Sequence, residues 1–221
     1  MSGLVGLVIG NGAWADMALV SEALQGAEFT LACDGALERC LEHGITVDAV
    51  VGDMDSVRGA SLTEFKKRGG EVVRVERQDT NDLAKALDVA EQRGATRCVL
   101  VGFHGGDVQH ETANLLVCGE RTVELLCLTS TDVLHFLCPG RDIAIELGKG
   151  TEFSVFPYPS AGRISISGCE HELVNESLKS ASHGLHNRST RPVVRLRFEQ
   201  GRLLMVYPHP VSSTEEGTSA A

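Results

Sequence analysis

The sequence predicts an α/β protein with two parts: an N-terminal doubly wound, mostly parallel sheet and a small C-terminal antiparallel β-sandwich. Three observations support this fold class. Up to about residue 138, short apolar runs rich in β-forming residues alternate with helical stretches. Cys138-Pro139-Gly140 interrupts that alternation. Beyond it, short alternating strands recur with Gly and Pro between them and no helical period, which is typical of a sandwich.

Each predicted strand of the first part is a short apolar run, as expected for parallel strands that are buried on both faces. The runs are Leu4–Ile9, Phe29–Cys33, Ala49–Gly52, Glu71–Val75, Cys98–Gly102 and Val123–Leu128. Helices are predicted between them, near residues 15–25, 35–43, 61–69, 82–93 and 108–118. This order of strand, helix and strand indicates a parallel sheet with helices on its faces.

The predicted strands of the second part are shorter and alternate apolar with polar residues, as in strands that bury one face. They are Asp142–Leu147, Arg163–Ser167, Val193–Phe198 and Leu203–Tyr207. We therefore predict an α/β domain at residues 1–138, a sandwich domain at 139–211 and a disordered tail at 212–221, where the residues are small and polar.

Composition and charge exclude several classes of protein. The chain has 221 residues, of which 43% are hydrophobic and 23% charged, as in ordinary globular domains. Its net charge of -10 argues against binding to nucleic acid or to anionic membranes, which requires a basic surface. The apolar run at Leu4–Ile9 is far shorter than the roughly 20 residues that span a bilayer, so we expect neither a membrane anchor nor an export signal.

Cysteine usage predicts the cellular compartment. The seven cysteines are odd in number, contain no CxxC pair and mostly lie inside apolar runs. Such cysteines are typical of small core residues in a reducing compartment, rather than of disulfides or a zinc site. We therefore expect a cytoplasmic protein.

The residues that follow the predicted strands are the first candidates for a functional site, because ligands of open α/β sheets bind at the carboxyl ends of the strands. Five carboxylates follow strands two, three and four and would meet at one rim. Asp53 and Asp55 form the sharpest pair, since residues i and i+2 after a buried strand point to the same side. The full set is Asp34, Asp53, Asp55, Asp79 and Asp82.

A carboxylate cluster of this kind requires a counter-charge. Two like charges about 4 Å apart repel by about 4 kcal/mol at an effective dielectric constant of 20. Carboxylates without accompanying cysteines favour Mg²⁺, which usually bridges protein to substrate phosphates. The neighbouring glycines would let a phosphate group approach the backbone amides closely. The residues therefore predict metal-assisted chemistry on a phosphorylated ligand.

Several motifs, in their order along the chain, resemble those of the thiamine pyrophosphokinase (thiamine diphosphokinase) family. In the first part they are Asn11-Gly12, Asp34-Gly35-Ala36, Gly52–Ser56, Gln78–Leu87 and the segment from Gly105 through His110 to Leu115. In the second part, Gly168–Leu173 and Gly184–Asn187 are similar to weaker motifs of the family's sandwich. No single motif is specific, but their joint order is.

The resemblance implies an ATP-binding catalytic domain followed by a sandwich that binds the acceptor and forms a homodimer, with the active site in a cleft between subunits. It implies a transferase that moves pyrophosphate from ATP to the hydroxyl group of thiamine, uses Mg²⁺ and releases AMP. The catalytic residues would be Asp53, Asp55, Asp82 and Lys85.

In this reading the three carboxylates hold Mg²⁺ directly or through water, and Lys85 stabilises charge on the transferring group. The base that takes the proton of the alcohol is not identified; Asp34 and Asp79 are the candidates. The further binding residues would be Asn11, Asp34, Asp79, Asn81, Gly105, Gly106, Gln109, His110, His186 and Asn187.

Three alternatives stay open at this point. Asp107 and Gln109 stand where the family typically has arginine and aspartate, which would suit another alcohol such as a hydroxymethylpterin. A non-catalytic ligand-binding relative is the second alternative. The third is a haloacid-dehalogenase-type phosphatase with Asp53 as nucleophile; against it, the strand before Asp53 is the third of the sheet and the later acidic pair of such enzymes is not evident.

Overall fold

The computed structural model describes residues 3–178, 180 and 182–209, and these residues form two sheets, one of ten strands and one of four. The larger sheet is mostly parallel in its N-terminal part and carries the helices, whereas the smaller sheet is antiparallel. The predicted fold class is therefore confirmed. The predicted tail at residues 212–221 lies outside the described residues.

The first part of the chain forms the predicted alternation, with small shifts at the ends of elements. Three helices begin at a side chain that accepts a backbone N–H, namely Asp16, Asn81 and Asp107, which explains where those helices begin. The elements are β1 (Leu4–Ile9), α1 (Met17–Gly26), β2 (Phe29–Cys33), a 3-10 turn (Asp34–Ala36), α2 (Leu37–Glu42), β3 (Ala49–Gly52), α3 (Gly59–Lys67), β4 (Glu71–Arg74), α4 (Asp82–Gln92), β5 (Ala95–Val101), α5 (Val108–Glu120) and β6 (Glu124–Leu128).

Among its described residues, the second part of the chain contains strands and no helix. Their bounds are β7 (Asp132–Leu137), β8 (Ile143–Glu146), β9 (Glu152–Gly162), β10 (Ile164–Ser167), β11 (Leu173–Glu176), β12 (Asn187–Arg188), β13 (Val193–Arg197) and β14 (Gln200–Pro208). The small sheet has the order β11-β10-β13-β8.

The order of strands in the large sheet fixes where a ligand can bind. The order is β12-β9-β14-β7-β6-β5-β1-β2-β3-β4, and the block from β6 to β4 is parallel. The chain runs outward from β1 through β2 to β4 on one side and continues with β5 and β6 on the other. The crevice between the loops after β1 and β5 is therefore the topological switch point, where α/β proteins bind ligands.

Both faces of the large sheet are buried. On one face, Leu31 and Leu100 pack in a cluster with Leu87 of α4. On the other face, Leu7 packs in a cluster with Val20 of α1. Burial on both faces explains why these strands consist of almost uninterrupted apolar residues.

The sandwich shares one of its two layers with the large sheet. Ile145, Ile166 and Leu196 of the small sheet lie in the same buried cluster as Val155 of β9 and Met205 of β14. The segment Leu203–Tyr207, which was predicted as a sandwich strand, lies in β14, and β14 pairs with β7 and β9 in the layer of the sandwich that belongs to the large sheet. Its residues are buried on both faces, as in a central strand.

Strands β7, β9, β11 and β12 are not among the predicted strands. β9 contains Pro157 and Pro159, which lack the backbone N–H of a regular ladder and therefore argue against a strand in sequence. In the structure, β9 pairs with β14 across an irregular register near Gly201. The sheet accommodates the prolines at this irregularity.

The domain boundary at residue 138 stays a prediction. It falls between β7 and β8, and the large sheet contains strands from both sides of it. Within the described part of the chain, no helix combines the length and apolar character that crossing a membrane requires.

Candidate active site

A cavity of about 570 Å³ lies at the carboxyl ends of the parallel strands. Its wall comes from the loops after β1, β2, β3 and β5, from the start of α4 and from the first turns of α5, so it lies at the switch point of the sheet. Residues that line it include Asn11, Asp34, Ser56, Asn81, Asp82, His104, Gly106, Asp107, His110, Glu111 and Asn114.

The loop after β1 is fixed against the loop after β5. Gly12 N donates to Gly102 O at 2.7 Å, and Arg39 Nη1 donates to Gly12 O at 2.9 Å. A Cβ at Gly12 would lie 2.6 Å from His104 O, so the close approach of the two loops requires glycine there. Asn11 is thereby held on the cavity wall.

Three carboxylates meet near the ends of β2 and β3. One oxygen each of Asp34, Asp53 and Asp55 lies within 4.8 Å of the others. Asp34 is buried, and its orientation is fixed because Gly35 N donates to Oδ1 at 2.7 Å and Met54 N donates to Oδ2 at 2.9 Å. This group offers only oxygen ligands, as Mg²⁺ prefers.

The pKa values of Asp34 and Asp53 are shifted in opposite directions. Burial raises the pKa of Asp34, although the hydrogen bonds from Gly35 and Met54 oppose that shift. The hydrogen bond from the backbone of Asp55, together with the charge of Lys85, lowers the pKa of Asp53. A cation bound beside these two carboxyl groups would favour their ionised forms.

Lys85 supplies positive charge beside the cluster from within the protein. Its side chain is only 5% exposed, and Nζ lies 3.1 Å from Asp82 Oδ1 and 3.7 Å from Asp53 Oδ2. Burial alone lowers the pKa of Lys85, but the hydrogen bond and charge of Asp82, with Asp53 and Asp34, raise it overall. Lys85 is therefore a fixed cation at the rim.

The third member of the close carboxylate group is Asp34 in the structure, whereas the sequence suggested Asp82 as the third metal ligand. Asp82 begins α4, lines the cavity and pairs with Lys85, but it is not a member of the close group of three. Its role as a ligand stays a prediction. Gln78, which was not among the predicted site residues, donates from Nε2 to Asp53 Oδ2 at 3.3 Å.

Asn81 connects two walls of the cavity. Its Oδ1 accepts from Ala84 N at 3.0 Å, and its Nδ2 donates to Asn114 Oδ1 at 2.9 Å. Asn114 Nδ2 in turn donates to Phe103 O at 3.0 Å. Asn114 was not predicted as a site residue, although it lies within the motif that runs from Gly105 to Leu115.

Several predicted site residues do not line the cavity, namely Asp53, Asp55, Lys85, Gly105, Asp79, Gln109, His186 and Asn187. The side chain of Asp79 is 73% exposed and pairs with Arg77 at 3.1 Å, and the hydrogen bond from Arg77 lowers the pKa of Asp79. Gln109 lies in the first turn of α5, where its N–H donates to Asp107 Oδ1 at 3.1 Å, and it does not line the cavity. The binding roles of Asp79 and Gln109 stay predictions.

The Gly105-Gly106 loop leads into α5, whose first turn contains His110. His110 and Gly106 line the wall. Both glycine amides donate to the carboxylate of Glu111, a residue that the sequence prediction missed. A carboxylate four residues after Asp107 carries no distinctive signal in sequence.

His186 and Asn187 lie on the sandwich and do not line the cavity of their own chain. His186 Nδ1 lies 2.6 Å from Glu152 Oε1. The side chain of Asn187 is buried, with Oδ1 accepting from His171 N at 3.1 Å and Nδ2 donating to His171 O at 3.0 Å. Within one chain Asn187 therefore stabilises a loop.

The fold and the cavity define a class of protein: an α/β domain with a carboxylate group and a buried lysine at the carboxyl ends of the parallel strands, extended by a β-sandwich. Residues 20–124, which contain that carboxylate group and Lys85, match the family described as thiamin pyrophosphokinase, catalytic domain. This segment is therefore similar to the thiamin pyrophosphokinase family, and the predicted resemblance is confirmed. No curated protein matches the chain.

Solved structures share the fold over nearly the whole chain. A thiamine pyrophosphokinase from Bacillus subtilis is 20% identical, has a TM-score of 0.73, and is matched over 92% of this chain and 98% of its own. The enzyme from Geobacillus thermodenitrificans is 20% identical with a TM-score of 0.74, over 95% and 99% of the two chains. The enzyme from Candida albicans is 14% identical with a TM-score of 0.72, over 93% and 89%.

Proposed function

We propose that this protein transfers pyrophosphate from ATP to the hydroxyl group of thiamine in the presence of Mg²⁺ and releases AMP. The observation that carries the proposal is the group formed by Asp34, Asp53 and Asp55 beside the buried Lys85. Asp34 of this group lines the cavity of about 570 Å³, and the whole group lies within the segment that matches the family's catalytic domain.

The residues of this group fit Mg²⁺. Asp34, Asp53 and Asp55 would hold the ion, directly or through water, and Asp82 lies on the same rim. Bound there, Mg²⁺ would neutralise charge on the phosphates of ATP. Without a cation the rim would repel a triphosphate, because carboxylates outnumber the single lysine among the described residues at this rim.

Lys85 would act on the transferring group. Its ammonium is held between Asp53 and Asp82, so its position is set before substrate binds and no reorganisation is needed during reaction. The base that takes the proton of the alcohol stays unassigned, because Asp34 would hold the metal and Asp79 does not line the cavity. Positioning and electrostatics would supply most of the catalysis.

The cavity wall around α5 supports thiamine over a hydroxymethylpterin as acceptor. Asp107 places a carboxylate on this wall. Thiamine carries a permanent positive charge on its thiazolium ring, whereas a hydroxymethylpterin is neutral at the same pH. An acidic wall attracts the cation and offers the neutral ring no such gain.

A homodimer would complete the site. His186 and Asn187 do not line the cavity of their own chain, so they could contribute only from a second copy, as the family resemblance implies. We also propose a cytoplasmic location, because all seven cysteines are free thiols and six of them are buried.

The proposal is tested by incubating the purified full-length protein with ATP, Mg²⁺ and either thiamine or a hydroxymethylpterin. We expect AMP and thiamine pyrophosphate in equal amounts, measured by chromatography and mass spectrometry, and no product when a chelator replaces Mg²⁺. Release of AMP with the pterin alone would reassign the acceptor. Nucleotide binding without AMP from either alcohol would indicate a non-catalytic relative. Formation of an aspartyl beryllofluoride adduct, which mimics a phospho-aspartate, would indicate a phosphatase.

Asp107→Asn is expected to raise the KM for thiamine by up to about fivefold, equivalent to about 1 kcal/mol for a partly exposed charge interaction. Asparagine also caps helices, so α5 should keep its start and the thermal midpoint should stay unchanged. The KM for ATP serves as the internal control and should not move. An unchanged KM for thiamine would contradict a role for this carboxylate in acceptor binding.

A further inference from the structure

Glu111 lies on the cavity wall with its carboxylate held by the backbone of the preceding loop. Oε1 accepts from Gly106 N at 3.0 Å and from Gly105 N. Two successive amides that converge on one oxygen form a nest, a backbone concavity that binds anions. The hydrogen bonds from Gly106 and Gly105 lower the pKa of Glu111, so the side chain is ionised at neutral pH.

The nest is held in place by contacts other than Glu111. Ala13 N donates to His104 O at 2.7 Å, and Asn114 Nδ2 donates to Phe103 O at 3.0 Å. Gly105 has φ +74°, and a Cβ there would lie 2.4 Å from the Cβ of Ala13, so the loop requires glycine. The two amides would therefore keep their direction if the Glu111 carboxylate moved away.

One residue of the carboxylate group and one amide of the nest lie on the wall of the same cavity. They are Asp34 and Gly106, and Glu111 also lines this wall. The acidic side chains of Asp82 and Asp107 lie on the same wall and would repel an anion. The backbone N–H groups of the nest are hydrogen-bond donors, so the nest is the part of this wall that suits an anion. His104, whose Nδ1 lies 3.6 Å from Glu111 Oε1, adds a second group that can interact with negative charge.

We propose that the nest is a binding site for phosphate, that the Glu111 carboxylate occupies this site when no substrate is bound, and that a phosphate group of the substrate displaces the carboxylate. The proposal rests on the proposed function for the phosphorylated nature of the ligand. The Glu111 side chain is 28% exposed, so it can leave the nest toward solvent and regain hydrogen bonds from water. Glu111 thus competes with phosphate and sets the affinity of the cavity for it.

The test measures binding of inorganic pyrophosphate without divalent cation, so that the carboxylate group cannot contribute through a metal. We expect Glu111→Ala to bind pyrophosphate about tenfold more tightly than the unchanged protein, because a competitor held by charge-assisted hydrogen bonds is removed. Glu111→Gln should fall between them, since a neutral amide oxygen still accepts from the nest. Titration calorimetry gives the affinities.

Asp107→Asn is the matched control, because it removes the same charge from the same wall but leaves the nest untouched. We expect it to change the affinity for pyrophosphate by less than about threefold, as for other partly exposed charges. If both variants bound pyrophosphate more tightly by the same factor, the cause would be the loss of one negative charge from the wall and not the emptied nest, and the proposal would be overturned. Weaker binding by Glu111→Ala would show that Glu111 only shapes the loop.

Backbone amide resonances give a readout that needs no variant. Adding pyrophosphate to the unchanged protein should shift the Gly105 and Gly106 N–H signals more than others in α5, and static signals would overturn the proposal. Failure of the proposed function is seen separately, as absence of AMP release. A nest that responds to pyrophosphate in a protein that forms no AMP would sustain this inference and reject the reaction.

Discussion

Asp53→Asn and Asp55→Asn are each expected to abolish AMP formation while leaving the protein folded. Both carboxylates belong to the group that would hold Mg²⁺, and an amide oxygen is a neutral and weaker ligand. Neither residue belongs to the hydrophobic clusters that hold the fold together, so we expect the free energy of unfolding to change by no more than about 1 kcal/mol. AMP release and thermal unfolding measure the two effects.

The control for these variants is Asp142→Asn, which removes the same charge from an exposed aspartate whose Oδ1 lies 3.2 Å from Arg197 Nη1 on the sandwich. It should keep full activity. Calorimetric titration with Mn²⁺ should show binding to the control and loss of binding to the Asp53 and Asp55 variants. Activity within about tenfold of the unchanged protein, equivalent to about 1.4 kcal/mol of barrier, would place the metal elsewhere. Unfolding of either variant would make the pair structural.

Lys85→Ala should lower kcat by about a hundredfold or more while changing the KM for thiamine little, because its charge is directed at phosphate oxygens rather than at the acceptor. Lys85→Met keeps most of the packing of this buried side chain and separates lost charge from lost volume. Lys85→Arg should rescue poorly, since a planar guanidinium places its charge differently in a site built around an ammonium.

Lys67→Ala is the matched control for Lys85, because Lys67 is an exposed lysine at the end of α3. It should leave both kinetic constants unchanged. A Lys85→Ala enzyme with normal kcat would make the lysine a structural partner of Asp53 and Asp82 only. A rise in the KM for thiamine with unchanged kcat would instead place Lys85 on the acceptor side.

The secondary structure of the first part was predictable because its signal is local. Runs such as Leu4–Ile9 and Phe29–Cys33 are apolar throughout since both faces of each strand are covered, and the helices between them begin at polar caps such as Asn81. The second part gave a weaker signal. The two prolines of β9 argue against a strand in sequence, and only its pairing with β14 shows that the sheet accommodates them.

Residues of the candidate site could be predicted from the sequence where they directly follow a predicted strand. Asp53 and Asp55 are two positions apart at the end of one strand, so their proximity needs no tertiary information. Asp34 follows a different strand, and its membership in the same group depends on the pairing of β2 with β3. Asp79 follows β4 yet points to Arg77 instead of the cavity, which its sequence position does not reveal.

The sequence by itself determined the order of strands and helices, the acidic rim with its lysine and the resemblance to a pyrophosphokinase family. These properties can be predicted from short stretches of sequence, because the pattern of apolar and polar residues and the backbone preference of each residue are local. Only the tertiary structure decided that Asp34 joins Asp53 and Asp55, that β14 belongs to the large sheet and that Glu111 occupies the backbone nest. Those contacts depend on strand register and on the distances between loops, which are fixed by pairings between residues far apart in sequence, such as Gly12 N with Gly102 O.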